Sequence, residues 1–128
     1  MSAQVPVSLG ELIDKITILE IKCARITETR KRAHVGRELE QLLAVWAPFE
    51  AAHPAVGALR AALRVVNETL WQIEDDIRAH EAAQRFDPEF VRLARAVYQT
   101  NDRRFHLKSR VNQLLDSTLV EQKQYVAY

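Results

Sequence analysis

The residues most able to do chemistry lie in the middle of a predicted long helix, at positions 97–108, which read VYQTNDRRFHLK. Apolar side chains recur around them at steps of three and four, but Thr100 and Arg104 interrupt that stripe at two consecutive steps. A buried polar group without a partner costs roughly 1–3 kcal/mol, and a lone buried charge costs more. Arg104 therefore needs either protein partners or a bound ligand.

Counting residues outward from a turn near Arg85 predicts which side chains of other helices face the polar positions Thr100 and Arg104. Antiparallel helices three and four put Arg104 level with Asn67, and up-down connectivity adds Glu20 of helix one at the same level. The predicted polar layer consists of Glu20, Asn67, Glu68, Asn101, Arg103 and Arg104.

The predicted layer has two interpretations. In one, it is a self-satisfied network in which arginine–glutamate pairs fix the register of the helices. In the other, Arg103 and Arg104 face the phosphate or carboxylate of an anionic ligand bound between the helices.

Acidic residues suggest a metal site less strongly. Glu11 and Asp14 form an ExxD pair, and residues 74–76 read EDD; helical nucleotide pyrophosphohydrolases hold Mg²⁺ with acidic motifs of this kind. Counting along the helices places the two groups at opposite ends of the bundle, so we predict a solvated, salt-bridged face.

The four histidines lack zinc-ligand spacing, and there is no P-loop or G-x-S-x-G motif. We predict no catalytic residue, metal or cofactor.

Composition narrows the class of protein. Eighteen basic and seventeen acidic side chains give a net charge of +1, which argues against nucleic-acid binding. The start of the chain lacks a leader pattern, and no apolar run is long enough for a membrane span. The single cysteine, Cys23, lies on an apolar stripe, as expected for a reduced thiol. We expect a cytoplasmic protein.

Helix signals predict the architecture. Ser8 with Glu11 forms a capping box at the start of helix one, and Asp87 with Pro88 opens helix four, which runs to about Leu115. Helix two is expected from about Val35 to Ala47, ended by Pro48, and helix three begins near Pro54. The stripe of helix three is the most regular, with Val56, Leu59, Leu63, Val66, Leu70, Ile73 and Ile77.

These signals predict an all-α fold over a single helical-bundle domain of residues 1–128. The bundle is antiparallel and up-down, with three long helices, one shorter helix and a short C-terminal tail that is helical or extended. Tyr125, Val126 and Tyr128 of the tail could dock on the bundle. The heptad-like stripes also allow a second copy to complete the core as a homodimer.

A basic run, residues 24–37 (ARITETRKRAHVGR), spans the expected end of helix one and the turn into helix two. Cations suit a helix C-terminus, where unpaired carbonyls carry partial negative charge, so the run has a structural interpretation. Alternatively, it forms a patch that binds an anion or an acidic partner.

Four segments together resemble one bacterial family of small all-helical proteins of unknown function. They are VSLGELIDKITILEIK, LWQIEDDIR, VYQTNDRRFHLK and LVEQKQYVAY, and they cover nearly the whole chain. Genes of this family often lie beside glycosyltransferases of surface-polysaccharide assembly. The resemblance therefore implies an accessory role there, and it implies no catalytic residue.

Two hypotheses of function follow. The favoured one is a non-enzymatic helical accessory protein that binds another protein through an exposed helix face, including the basic turn from Arg30 to Arg37. The alternative is a small enzyme or sensor that binds an anionic metabolite at the predicted polar layer. The first predicts a closed bundle, and the second predicts a pocket into which Arg103 and Arg104 project without protein partners.

Overall fold

Four α-helices and no strands make up the computed structural model, which describes residues 1–128. The helices are α1 (Leu9–Arg25), α2 (Thr29–Ala52), α3 (Val56–Ala82) and α4 (Pro88–Leu114). They pack against one another as a bundle, so the predicted all-α class is confirmed.

The starts of α1 and α4 follow the predicted caps. The Ser8 hydroxyl accepts a hydrogen bond of 3.1 Å from the backbone N–H of Glu11. The Asp87 carboxylate accepts one of 3.0 Å from the backbone N–H of Phe90, with Pro88 in the first turn. Each side chain satisfies a backbone donor that has no partner inside the helix, and this fixes where the helix begins.

The core lies where α1 is enclosed by the other three helices. α3 and α4 form the most extensive pair, and α1 packs on both of them while α2 packs mainly on α1. Ile13 and Ile16 of α1 are fully buried. The buried apolar cluster consists of Leu12, Ile13, Ile16, Trp46, Val56, Leu59, Leu63, Val111 and Leu115. Because α1 is covered on several sides, it holds the other helices together.

The expected bounds of helix two are wrong. α2 runs from Thr29 to Ala52 over 24 residues, so the 17-residue α1 is the shorter helix. Pro48 lies inside α2, and the helix continues because Phe49 packs on Trp46, with ring centroids 6.2 Å apart, and on the apolar cluster. Burial of these rings outweighs the single backbone hydrogen bond that proline removes.

The C-terminal tail has no regular secondary structure beyond Leu115 and folds back along α4. Glu121 forms an ion pair of 2.8 Å with Lys108, and the Lys123 ammonium lies 5.3 Å from the ring centroid of Phe105. Tyr128 then reaches the Asp102 carboxylate with its hydroxyl. The tail is therefore extended, and it docks on the bundle antiparallel to α4.

α1 and α4 approach each other closely at Gly10. A methyl group there would lie 2.4 Å from the backbone oxygen of Lys108, whereas one at Gly36 of α2 would meet nothing within 4 Å. We expect Gly10→Ala to lower the free energy of unfolding by about 2 kcal/mol or more, because the helices must separate. Gly36→Ala should raise it by about 0.5–1 kcal/mol through helix propensity.

Urea denaturation of the two variants and the wild type measures both effects. Equal stabilisation by the two substitutions would contradict the close approach of α1 to α4.

Candidate functional site

A buried carboxylate, Asp14 of α1, lies at the centre of the polar contacts between helices. Its side chain is only 1% exposed, and Arg104 of α4 binds it through two hydrogen bonds. The guanidinium Nε lies 2.9 Å from Oδ1, and Nη2 lies 2.5 Å from Oδ2. This bidentate geometry is the strongest way to pair a guanidinium with a carboxylate.

Asn67 brings the third helix into the same contact. Its side-chain amide donates to Asp14 Oδ1 at 2.9 Å and to the Thr17 hydroxyl at 2.9 Å. The Thr17 hydroxyl in turn donates to the backbone oxygen of Asp14 at 2.8 Å. We call Asp14, Thr17, Asn67 and Arg104 the Asp14 network; it joins α1, α3 and α4 and leaves each of its buried side chains hydrogen-bonded.

A second cation, Lys108, lies one turn further along α4 and is buried. The Lys108 ammonium is 2.7 Å from a Glu11 carboxylate oxygen and 2.8 Å from one of Glu121, and it is 4.0 Å from Asp14. Burial disfavours its charge most strongly, but hydrogen bonds to Glu11 and Glu121 outweigh burial and raise the pKa of Lys108. The ammonium therefore stays charged at neutral pH.

The hydrogen bond from Arg104 to Asp14 likewise raises the pKa of the guanidinium, against the opposing effect of burial. Arg104 and Lys108 thus both remain protonated near neutral pH. A general acid or base needs a pKa near the working pH, so neither cation is suited to proton transfer. Both ion pairs join α4 to α1.

Of the six residues in the predicted polar layer, the structure brings three together. Asn67 and Arg104 meet on Asp14, and the Nη1 atom of Arg104 lies 3.5 Å from the Asn101 side-chain oxygen. Arg103 points to the surface, where its Nη2 atom donates to the Thr100 hydroxyl at 3.2 Å.

The other two predicted residues lie in a separate surface cluster. Glu20 pairs with Arg60 at 3.3 Å and with Arg64 at 3.4 Å, and Arg64 also pairs with Glu68 at 3.0 Å. Helix one therefore presents Asp14 to Arg104, and Glu20 lies too far along the helix to do so. The predicted level of helix one was therefore wrong, because Asp14 and not Glu20 lies opposite Arg104.

Sequence analysis missed Asp14, Thr17 and Lys108 as members of the site. Asp14 was expected on the solvent-facing stripe of helix one with Glu11, and that expectation is wrong because Asp14 is buried. A usable signal existed: Gly10, Asp14 and Thr17 follow a four-three spacing on one side of α1, and all three are buried. A small or polar stripe of this kind indicates close contact with another helix.

A cleft of about 410 Å³ borders the Asp14 network. Its lining includes Asn67, Trp71 and Arg104, and also Asp75 and the ion pair of Glu74 with Arg78, whose atoms are 3.0 Å apart. Of the two lining carboxylates, only Asp75 has no cation partner to offset its repulsion of an anion. No group of three or more His, Cys, Asp or Glu side chains is arranged to hold a metal ion, and no helix combines the length and apolar character needed to cross a membrane.

The fold and the site define an all-α bundle protein whose helices are joined by a buried ion-pair network. The chain belongs to a family of unknown function, DUF6165, whose model matches residues 3–128. This agrees with the resemblance seen in the sequence. No curated protein and no solved structure matches the chain.

We expect Arg104→Ala to lower the free energy of unfolding by about 3–5 kcal/mol, because it leaves the Asp14 carboxylate buried without its cation. The matched control is Arg92→Ala, which removes an arginine paired with Glu89 at 2.5 Å on the exposed surface of the same helix. That change should have little effect, since exposed ion pairs are screened by water. Denaturant unfolding followed by circular dichroism gives both values; equal losses would contradict the burial of the Asp14 pair.

Proposed function

We propose that this protein is a non-enzymatic accessory protein that binds an acidic surface of a partner protein through the first half of α2. The binding residues are Arg30, Lys31, Arg32 and Arg37, which we call the basic surface. The observation that carries this proposal is the position of these cations at the start of a helix.

Three of the four residues, Arg30, Lys31 and Arg32, lie at the N-terminal end of α2, whose first turn contains no acidic residue. A helix N-terminus carries partial positive charge, so cations there are unfavourable. The structural interpretation of the basic run required its cations to lie at the C-terminal end of α1. The last turn of α1 contains two basic residues, Lys22 and Arg25, and none of the three that begin α2. Stability of the helix does not account for Arg30, Lys31 and Arg32.

The basic surface is also free of internal partners. All four side chains are exposed and none forms an ion pair; the only polar side-chain contact among them is from Arg37 to His34, at 3.1 Å. Because α2 packs mainly on α1, its outer face is open to a partner. Uncompensated charge of one sign on an exposed helix favours association with a surface of opposite sign.

The interior supports a binding role over catalysis. Arg103 and Arg104 both contact protein groups, as the closed-bundle hypothesis predicts, and Arg104 and Lys108 are unsuited to proton transfer. We place the partner among the proteins of surface-polysaccharide glycosyl transfer, as the sequence resemblance implies. A cytoplasmic location and a bacterial source belong to the same proposal.

A second candidate function is binding of an anionic metabolite at the polar layer. The cleft beside Arg104 favours it, since a guanidinium lines the cleft wall. The bidentate pairing of that guanidinium with Asp14 opposes it, because the Nε and Nη2 donors of Arg104 are already bound to the carboxylate. The accessory role is therefore the function that we propose.

Reversing the charge of the basic surface tests the proposal. We expect the triple variant Arg30→Glu, Lys31→Glu, Arg32→Glu to bind partner proteins at least roughly tenfold more weakly, because like charges then face each other. The same change should leave the thermal stability equal or higher, since carboxylates suit a helix N-terminus. Affinity capture at low and high salt, with quantification of each retained protein, measures binding, and a melting curve measures stability.

The matched control reverses three exposed arginines elsewhere, in the variant Arg85→Glu, Arg95→Glu, Arg110→Glu. It changes the net charge by the same amount and should retain the captured proteins. Capture that is equal for both triple variants, or no salt-sensitive capture by the wild type, would contradict the proposal.

A further inference from the structure

A cleft of about 750 Å³ lies between α4 and the C-terminal tail, and we call it the tail cleft. Its walls include Tyr98, Asp102 and Phe105 from α4 and Lys123, Tyr125 and Tyr128 from the tail. We propose that the tail cleft binds a mononucleotide, that is, a planar base on a ribose that carries a phosphate. The site is separate from the basic surface, and the inference does not rest on the proposed function.

Aromatic rings dominate the walls and stay partly in water. Tyr98 is 44% exposed, Tyr125 is 76% exposed and Tyr128 is 79% exposed. Tyr98 and Tyr128 contact each other edge to face, with ring centroids 5.2 Å apart. Exposed aromatic groups gathered in one cleft offer faces on which a planar heterocycle can stack, and every base has such a face.

The lining of the tail cleft includes a cation without an acidic partner, Lys123. The Lys123 ammonium is 5.3 Å from the ring centroid of Phe105 and 5.9 Å from that of Tyr125, and it forms no ion pair. The rings hold the charge in place through cation–π attraction but do not neutralise it. A phosphate attached to a stacked base would supply the missing anion.

The tail cleft is also lined by a carboxylate, Asp102, which lies about one turn before Phe105 on α4. Asp102 accepts a hydrogen bond from the Tyr128 hydroxyl, and the other acceptor positions of the carboxylate remain free for ligand donors. Ribose hydroxyls and exocyclic base amines are donors of the right kind. This hydrogen bond also raises the pKa of Tyr128, so the phenol stays neutral beside an anionic ligand.

The three parts of the tail cleft match the three parts of one ligand class. The rings suit the base, Asp102 suits the ribose or a base amine, and Lys123 suits the phosphate. The volume of about 750 Å³ falls within the usual range for small-molecule sites. Phosphate alone would leave the rings unused, and an uncharged aromatic compound would leave Lys123 unpaired.

Isothermal titration calorimetry of the full chain tests the inference with defined probes. These are AMP and UMP, the nucleosides adenosine and uridine, and inorganic phosphate. We expect saturable binding of at least one monophosphate with one site per chain. Its nucleoside should bind at least roughly tenfold more weakly, and inorganic phosphate should not saturate the site.

Two variants locate the binding, and each has a matched control. Lys123→Gln should weaken the monophosphate about tenfold and leave the nucleoside unchanged, whereas Lys31→Gln on α2 should change neither. Tyr125→Ala should weaken both ligands about tenfold through lost stacking, whereas Phe86→Ala at another exposed aromatic should not. All four side chains are exposed, so we expect each variant to fold like the wild type.

Several results would overturn the inference. One is the absence of saturable heat with AMP and with UMP. Another is monophosphate binding that Lys123→Gln and Tyr125→Ala leave intact, and a third is weakening by Lys31→Gln equal to that by Lys123→Gln.

Discussion

The buried carboxylate of Asp14 is the constraint on which the rest of this bundle depends. A carboxylate removed from water is tolerable only when cations and hydrogen-bond donors replace its hydration. Here those donors come from two other helices, Asn67 of α3 and Arg104 of α4, so the relative placement of three helices is fixed by one side chain. Apolar burial alone specifies such placement less strictly, because apolar contacts are not directional.

The close approach of α1 and α4 extends this constraint to the end of the chain. At Gly10 the two backbones lie near enough for the Gly10 N–H to donate to the Asn112 side chain at 2.7 Å. Next to it, the buried Lys108 binds Glu11 of α1 and Glu121 of the tail. The tail is thus held by a cation that also belongs to the helix interface, and the tail cleft forms where the tail continues along α4.

Much of the fold could be predicted because its signals are local. The caps at Ser8 and Asp87 and the regular stripe of α3 depend on neighbouring residues, and those features appear where they were expected. The network centred on Asp14 depends on contacts between residues far apart in the chain. Asn67 and Arg104 could be matched by counting from their shared turn, but Asp14 comes from a helix that does not share it. The continuation of α2 past Pro48 likewise depends on tertiary packing around Phe49.

The central claim is that Asp14 and Arg104 stabilise the bundle as a coupled pair. A double-mutant cycle with Asp14→Leu, Arg104→Met and their combination, measured by urea unfolding, tests it most directly. The account predicts a coupling free energy of about 2–3 kcal/mol, because each single change strands one group and the double change removes both. Effects that add within about 0.5 kcal/mol would contradict it, since they would mean that the two side chains act independently.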